Sequence, residues 1–316
     1  MTTRPALPQP ETDLARTSLN FAWLEVTGFC DLECAHCYAD SSPQGTHGTM
    51  TAADWKDCIG QLAEMGTRNV QFIGGEPALY PHLTELIAHP QGAGVSVEVF
   101  SNLTHISDEL WAAFVEYGVK LATSYYSDEA DDHDKVTGRR GAHARTRANI
   151  QRARELKIPL RGGVISVHQG QRTEEAVHDL SSLGLTVVGG DHTRRFGRGS
   201  NGVQPTVGDL CGHCAHGKCA IGPDGDVWPC VLGRFISLGN VRHASLDEIW
   251  NGVPTTNARQ EIEAAHGPDG ASVEACTPPQ FLPMCGPCSP CVPSVGNCDP
   301  RPSGAATIGV PGQIGS

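Results

Sequence analysis

The chain has 316 residues, of which 39% are hydrophobic and 18% are charged, and its formal net charge is −12 at pH 7. This length and composition predict a soluble globular protein with more than one domain. The acidic balance argues against a nucleic-acid or anionic-membrane partner, because such partners require a basic face. No apolar run is long enough for a membrane span, and residues 1–16 lack the apolar core of a signal peptide. We therefore expect a cytoplasmic protein.

The 13 cysteines are unevenly distributed along the chain. Three lie within residues 30–37, Cys58 stands alone, and nine fall within residues 211–298. In a reducing cytoplasm such cysteines indicate metal ligation or redox chemistry rather than a disulfide framework. Two metal-bearing regions are therefore expected on either side of a cysteine-poor scaffold.

Short β-branched runs alternate with amphipathic stretches in that scaffold, a pattern typical of repeated βα units. The runs predict six strands at residues 21–26, 69–73, 95–100, 119–123, 160–167 and 185–188. The amphipathic stretches predict helices at residues 51–65, 80–88, 107–117, 142–157 and 172–183. Six such units predict a partial (β/α)6 TIM-like barrel, short of the eight units of a closed one, with its chemistry on the loops at the carboxyl ends of the strands.

The first predicted helix, at residues 51–65, carries two readable signals. The spacing of Thr51 and Asp54 predicts an N-terminal cap. Trp55 and Cys58 share an apolar face with the hydrophobic positions that follow them. Core packing is therefore the expected role of Cys58, rather than metal ligation.

The stretch GFCDLECAHCYA follows the first predicted strand and contains Cys30, Cys34 and Cys37. Three clustered thiols could form a zinc site, bind an iron–sulfur cluster or simply pack in a core. A structural zinc site needs four ligands, and the nearby candidates to complete one are His36 and His47. A cubane held by three thiolates leaves one iron open to bind a substrate or cofactor. The missing fourth cysteine would then be the functional feature.

The spacing in CDLECAHCY, together with GGEP after the second predicted strand, resembles the motif and βα order of the radical S-adenosylmethionine (radical SAM) superfamily. This resemblance implies that Cys30, Cys34 and Cys37 hold a [4Fe–4S] cluster whose open iron chelates the amino and carboxylate groups of S-adenosylmethionine. Reduction of the cluster would cleave the sulfonium to a 5′-deoxyadenosyl radical, which abstracts a hydrogen atom from the substrate.

The same resemblance implies a set of residues around the cofactor. The glycines of GGEP would let the backbone approach its amino group, and the glutamate would accept a charge-assisted hydrogen bond from that group. An ordinary βα turn is the alternative interpretation of GGEP, and a solvent-facing ring is the alternative to adenine stacking for His36. The expected cofactor-binding residues are His36, Tyr38, Gly74, Gly75, Glu76, Pro77, Ser101, Asn102 and Ser124.

Residues 127–150 strengthen the match to one subgroup. They contain His133, Asp134, Thr137 and Gly138, which resemble the HDxxTG segment of peptide- and protein-modifying radical SAM enzymes. The alternative is a solvated loop of mixed charge before a helix.

The region that begins at Cys211 resembles the SPASM/Twitch extension of radical SAM enzymes, which holds auxiliary iron–sulfur clusters. Residues 220–228 predict two short strands joined at an Asp-Gly turn, and Ser245 with Glu248 predicts a capping box that opens a short helix. Cys214 and Cys230 flank the hairpin. A small cysteine-rich domain is therefore expected after the barrel.

The resemblance implies one or two auxiliary [4Fe–4S] clusters in this domain. Their expected ligands are Cys211, Cys214, Cys230, Cys276, Cys285, Cys288, Cys291 and Cys298. Cys219 is the expected spare, because it falls where the hairpin of the family has an apolar residue. The last cysteines depart from the spacing that is usual in SPASM proteins, because Cys285, Cys288 and Cys291 form a CxxCxxC motif that is followed by Cys298. Zinc stays a competing interpretation, because two CxxC pairs are present.

The expected domains are an N-terminal tail at residues 1–19, the radical SAM partial barrel at 20–200 and the SPASM/Twitch-like domain at 201–316. The subgroup resemblance implies modification of a ribosomally synthesised peptide by hydrogen abstraction, with formation of a crosslink or another side-chain change. The alternatives are an anaerobic sulfatase-maturing enzyme, a small-molecule radical SAM dehydrogenase and a zinc-ordered adaptor without catalysis.

The expected partners are a precursor peptide and a reductant such as flavodoxin or ferredoxin. About twenty residues precede the first predicted strand, too few for a fused peptide-recognition domain. A separate recognition protein, or direct binding of the peptide by the barrel, is therefore expected. The sequence identifies no catalytic acid or base.

Overall fold

The structure, a computed structural model, describes residues 18–267 of the chain. Nine strands of this part form one sheet. The strands are β1 (Phe21–Thr27), β2 (Asn69–Gly74), β3 (Ser96–Phe100), β4 (Lys120–Tyr125), β5 (Leu160–Ser166), β6 (Val188–His192), β7 (Lys218–Ile221), β8 (Asp226–Trp228) and β9 (Gly239–Asn240). They lie in the order β6-β5-β4-β3-β2-β1-β7-β8-β9.

The first six strands are parallel to their neighbours, and helices connect them. The helices are α1 (Ala52–Glu64), α2 (Leu83–Ala88), α3 (Asp108–Glu116), α4 (Ala130–Thr137), α5 (Ala142–Glu155), α6 (Thr173–Ser182), α7 (Leu246–Trp250) and α8 (Val253–His266). This βα order confirms the predicted partial barrel. The described helices include none that is long and apolar enough to cross a membrane.

Both faces of the sheet are buried, as β1 illustrates. Ala22, Leu24 and Val26 belong to the apolar layer between the sheet and its helices. Phe21 and Trp23 point to the other face, the barrel interior. A strand buried on both faces needs a nearly continuous apolar run. This is why the run FAWLEV predicts the first strand from the sequence alone.

The cysteine-rich region is joined to the barrel through the same sheet. Strand β7 pairs in parallel with β1, from Phe21 opposite Lys218 to Leu24 opposite Ile221. Strands β7 and β8 form the predicted antiparallel hairpin. Helix α7 has the predicted capping box at Ser245, whereas α8 was not predicted. The expected boundary between residues 200 and 201 therefore separates strands that belong to one continuous sheet.

Two cysteines that were not expected to bind metal lie in the hydrophobic core. Helix α1 has the predicted capping box between Thr51 and Asp54, and Cys58 on its inner face is 1% exposed. Cys219 on β7 is fully buried in the same apolar layer, and burial raises its pKa to about 12. Both thiols pack as small apolar groups.

Candidate active site and iron–sulfur ligands

The cysteine loop, residues 28–42, leaves the carboxyl end of β1. It returns beside its own start, where the Cys30 amide donates to the Ser42 carbonyl at 3.1 Å. Cys30 is buried, and Cys34 and Cys37 are half-buried. Among the described residues, no three His, Cys, Asp or Glu side chains converge on a point that suits a single metal ion. In a cubane each thiolate binds a different iron, so its ligands do not need to converge on one point.

The end of α4 holds this loop through the backbone. Glu33 N donates to Thr137 O at 3.1 Å, and Ala35 N donates to Val136 O at 3.3 Å. Gly138 has φ +69°, and a Cβ at this position would lie 3.0 Å from the Glu33 carbonyl oxygen. The glycine is therefore required both by its backbone conformation and by the close approach. The HDxxTG segment is thus a support for the cysteine loop and not a free solvated loop.

The first residue of that segment, His133, is buried in a group of aromatic rings. Its ring centroid lies 5.0 Å from that of Tyr125, 5.2 Å from Tyr126 and 5.3 Å from His143. Burial, reinforced by the neighbouring His143, lowers the pKa of His133 to about 3. The histidine is therefore neutral in the folded protein at physiological pH.

Changing His133 to Phe is expected to reduce the loss of stability in acid. The native pKa lies below the ordinary value of 6.5, so the unfolded chain binds the extra proton and the wild type loses stability as the pH falls from 6.5 towards 3. Between pH 7 and pH 5 the phenylalanine variant should lose roughly 2 kcal/mol less than the wild type. Urea unfolding followed by circular dichroism at the two pH values measures this; equal losses would contradict the prediction.

A second support comes from the 3₁₀ turn after β6. Arg198 donates from its backbone amide to Cys37 O at 2.9 Å, and its side chain donates to Cys34 O at 2.9 Å and Ser41 O at 2.8 Å. Gly197, with φ +51°, lies so close that a Cβ would be 2.4 Å from the Cys37 carbonyl oxygen. Sequence reasoning missed Arg198, although the Gly-Arg-Gly context indicates a close backbone contact.

The GGEP turn follows β2 and packs directly on the end of β1. Gly75 N donates to Thr27 O at 2.7 Å, and Glu76 N donates to Phe29 O at 2.8 Å. A Cβ at Gly74 would lie 2.2 Å from Thr27 O, and one at Gly75 would lie 2.1 Å from Phe29 O. Both positions therefore require glycine because they contact the end of β1, a role that was not predicted from the sequence. Their approach to the cofactor stays a prediction.

Glu76 is buried beneath this turn and joins β2 to β3. Its carboxylate accepts hydrogen bonds from Ser101 Oγ at 2.7 Å and from the backbone amides of Asn102 at 2.7 Å and Ala78 at 2.9 Å. Burial is the main cause that raises the pKa of Glu76 to about 8, and the nearby Asp31 carboxylate contributes in the same direction. A positive or hydrogen-bonding group brought to this carboxylate would favour its charged form. Pro77 begins the short 3₁₀ turn that follows.

Asp31, between the first two cysteines, was not singled out by sequence reasoning. It accepts hydrogen bonds from Asn102 Nδ2 at 2.8 Å and Thr104 Oγ1 at 2.6 Å, and Arg139 Nη1 donates both to its carboxylate and to its carbonyl at 2.8 Å. Asn102 Nδ2 is also 3.9 Å from Cys30 Sγ. Asp31 therefore links the cysteine loop to the segment after β3 and to the segment between α4 and α5.

Two other predicted cofactor residues have unused polar atoms. Both ring nitrogens of His36 and the Ser124 hydroxyl are buried without a hydrogen-bond partner in the described part of the chain. His36 meets Tyr126 edge to face at 5.1 Å, and burial lowers the pKa of His36 to about 4. Buried polar atoms without partners are uncommon in native proteins. These atoms fit a site that is completed by a bound polar group.

Tyr38 connects the cysteine loop to the cysteine-rich region. Its hydroxyl donates to Glu25 Oε1 at 3.2 Å, and Arg234 forms an ion pair with the same carboxylate. The Arg234 guanidinium carbon lies 5.3 Å from the Tyr38 ring centroid and 4.8 Å from that of Trp228. Tyr38 directly follows Cys37, so the arginine joins the two cysteine-bearing segments.

Three of the predicted auxiliary ligands lie together. Cys214 Sγ donates to Cys230 Sγ at 3.0 Å. Hydrogen bonds with Cys211 and Cys230, followed by burial, raise the pKa of Cys214 well above its ordinary value. These thiols belong to the apolar group that also includes Tyr38 and the barrel interior. The remaining predicted ligands, Cys276, Cys285, Cys288, Cys291 and Cys298, lie outside the described residues.

Comparison with known proteins agrees with this geometry. Residues 24–183, half of the chain, match the radical SAM superfamily, and residues 211–291 match SPASM, an iron–sulfur cluster-binding domain. The chain is 26% identical over 305 residues to the antilisterial bacteriocin subtilosin biosynthesis protein AlbA of Bacillus subtilis, covering 84% of this chain and 66% of AlbA. It is 27% identical over 278 residues to the PqqA peptide cyclase of Xanthomonas campestris, covering 72% of each.

Solved structures show the same fold. SuiB of Streptococcus suis bound to S-adenosylmethionine superimposes with a TM-score of 0.64 at 16% identity, covering 77% of this chain and 68% of SuiB. The protein anSMEcpe with bound AdoMet and the Cp18Cys peptide superimposes with a TM-score of 0.60 at 12% identity, covering 78% and 82%. The family match and the cysteine loop at the carboxyl end of β1 lead to one conclusion. The chain belongs to the radical SAM superfamily and is a radical SAM enzyme with a SPASM-type iron–sulfur domain.

Proposed function

We propose that the enzyme modifies a ribosomally synthesised peptide, forming a crosslink or another side-chain change after removal of a hydrogen atom. The observation that carries this proposal is the similarity to two proteins named for bacteriocin biosynthesis and peptide cyclisation, which extends over 84% and 72% of this chain. The chain spans 66% of the length of AlbA, so the substrate of this enzyme is a proposal and is not inferred from that of AlbA. The HDxxTG segment supports the same subgroup.

Within this proposal, Cys30, Cys34 and Cys37 hold a [4Fe–4S] cluster. With S-adenosylmethionine bound, the site supplies a 5′-deoxyadenosyl radical that removes a hydrogen atom from the peptide. The α4 end and Arg198 fix the loop that carries these thiols through hydrogen bonds to its backbone. A ligand-bearing loop that is held in this way loses less conformational freedom on binding.

The cofactor is proposed to lie between the cysteine loop and the carboxyl ends of β2 to β4. Glu76 binds its amino group, and the free Ser124 hydroxyl and His36 ring contribute the polar and stacking contacts. The residues proposed to surround it are His36, Tyr38, Gly74, Gly75, Glu76, Pro77, Ser101, Asn102 and Ser124. Asp31 acts indirectly, because it holds Asn102.

Changing Glu76 to Gln is expected to weaken S-adenosylmethionine binding by about 1–3 kcal/mol, the range for a hydrogen bond to a charged group. The amide keeps the shape but loses the charge. Isothermal titration of the anaerobic, cluster-loaded protein measures the dissociation constant. The matched control is Glu85 to Gln, an exposed carboxylate on α2 that pairs with Lys56. An unchanged constant in the Glu76 variant would show that GGEP is only a turn.

The proposed electron donor is a flavodoxin or ferredoxin, and the peptide is bound either through a separate recognition protein or directly by the barrel. The proposed location is the cytoplasm. The decisive test of the peptide substrate is anaerobic incubation with short peptides encoded next to the gene, prepared with deuterated side chains. We expect deuterium in 5′-deoxyadenosine and a mass change in one peptide. Deuterium transfer only from a sulfatase peptide or from a small molecule would establish one of the alternative functions instead.

A further inference from the structure

Strand β6 has backbone groups that no other described strand uses. It lies at one end of the sheet and pairs only with β5 in the part of the chain that the structure describes. Thr193 N donates to Ser166 O on β5 at 2.9 Å. Because successive residues of a strand direct their backbone N–H and C=O groups to opposite sides, this phase turns alternate residues of β6 away from β5. These residues, the outer edge of β6, are Val188, Gly190 and His192.

The outer edge of β6 is open to solvent. Gly190 and His192 are exposed, and since glycine has no side chain, the exposed part of Gly190 is its backbone. Within residues 18–267, no hydrogen bond involves the backbone of the three outer-edge residues. Unused N–H and C=O groups along a strand form a template for another extended chain. The ligand that matches this regular series of donors and acceptors is therefore a peptide backbone.

The outer edge leads towards the cysteine loop. The chain passes from β6 into the 3₁₀ turn at Gly197–Ser200, where the Arg198 amide donates to Cys37 O at 2.9 Å. Phe196, just before this turn, is buried in the same apolar group as Tyr38. A peptide bound along β6 would therefore extend to the end of the sheet at which the three thiols lie.

We propose that the outer edge of β6 binds the substrate peptide as an added β-strand. This inference rests on the proposed function, because it requires a peptide as the substrate. An extended segment about as long as β6, which has five residues, supplies acceptors for the free N–H groups and donors for the free C=O groups. Such recognition depends on the backbone of the bound segment, and it excludes proline at the residues that must donate.

Gly190 allows a matched pair of variants. A Cβ at this position would have one neighbour, Val164 O at 4.0 Å, so Gly190→Ala has room for its methyl group and keeps the N–H. Gly190→Pro removes the N–H. Because this group points away from β5, the pairing of β5 with β6 is retained, as for other prolines on edge strands. Circular dichroism and iron content check that both variants fold and bind their clusters.

The probe is the short peptide, encoded next to the gene, that transfers deuterium to 5′-deoxyadenosine with the wild-type enzyme. We expect Gly190→Pro to bind this peptide about threefold to tenfold more weakly than Gly190→Ala, the effect of one lost hydrogen bond. Isothermal titration of the anaerobic, cluster-loaded proteins measures both dissociation constants. Equal constants would overturn the strand addition.

Two measurements on the wild-type enzyme do not depend on the folding of a variant. Adding the peptide should slow hydrogen exchange at the amides of Val188, Gly190 and His192. N-methylation along the bound segment of the peptide should weaken binding at every second residue, since alternate amides of an added strand face β6. Unchanged exchange, or N-methyl effects without this alternation, would also overturn the proposal.

The remaining outcomes separate this inference from the proposed function. Slow exchange at the outer edge without peptide would mean that a second copy, or a part of this chain outside residues 18–267, already covers it, and the inference would be wrong; gel filtration distinguishes the two. Deuterium transfer from the peptide with no difference between the Gly190 variants would leave the proposed function intact and reject the strand addition alone. If no peptide transfers deuterium to the wild-type enzyme, both fail.

Discussion

Replacing Cys30, Cys34 and Cys37 together with alanine is expected to abolish cleavage of S-adenosylmethionine. The loop is held by backbone contacts from Val136, Thr137 and Arg198, so the variant should keep its fold and lose only the ligands of the iron. Without an open iron, the sulfonium has no site at which one electron can reach it. The measurement is 5′-deoxyadenosine formed after anaerobic reconstitution with iron, sulfide and dithionite.

The same variant tests the second set of cysteines. Cys211, Cys214 and Cys230 lie together and are unchanged in this variant, so it should retain about four to eight irons per chain if the auxiliary sites are cubanes. A Cys58→Ala variant, changed at a core position, is the control and should still cleave the cofactor. Persistent 5′-deoxyadenosine in the triple variant would refute the assignment of the cysteine loop. Iron near zero, with one or two zinc ions per chain, would refute the auxiliary clusters.

Parallel strands could be predicted from the sequence where they consist of apolar residues. They were harder to locate where glycines form part of the strand. The first strand was located from its apolar run, and the helix after it was located from its apolar face and from the cap at Thr51 and Asp54. The sixth strand was predicted at 185–188 from its apolar residues but lies at Val188–His192. Its glycines pair with β5, and the sheet imposes this pairing against a low intrinsic preference for strand.

The supports of the cysteine loop were the least predictable part of the site. Helix α4 buries only His133, Val136 and Thr137, and its polar sequence resembles a loop more than an amphipathic helix. Asp31 and Arg198 act on partners that are distant in sequence. Contacts of this kind follow from the tertiary fold, so a single sequence reveals the three thiols but not the groups that position them.

Changing Arg161 to Met is expected to destabilise the enzyme by about 3–5 kcal/mol, the range for breaking a buried ion pair on one side. The side chains of Arg161 and Glu98 are 1% and 6% exposed and lie inside the barrel. Arg161 donates to Glu98 from Nη2 at 2.7 Å and from Nε at 3.0 Å. Methionine fills a similar volume, so the main effect is a Glu98 carboxylate that stays buried without its counter-ion.

Removing both charges should restore most of that loss. In an Arg161→Met/Glu98→Leu double variant no charge remains to be desolvated, and buried ion pairs are often replaced by apolar residues with little net cost. Gln71, which donates to Glu98 in the wild type, would then lack its partner, so recovery should be incomplete by about 1–3 kcal/mol. Urea midpoints of the anaerobic, metal-loaded proteins, followed by circular dichroism, give the comparison. A double variant as unstable as Arg161→Met would mean that arginine packing against Phe100, and not charge pairing with Glu98, is what stabilises the barrel interior.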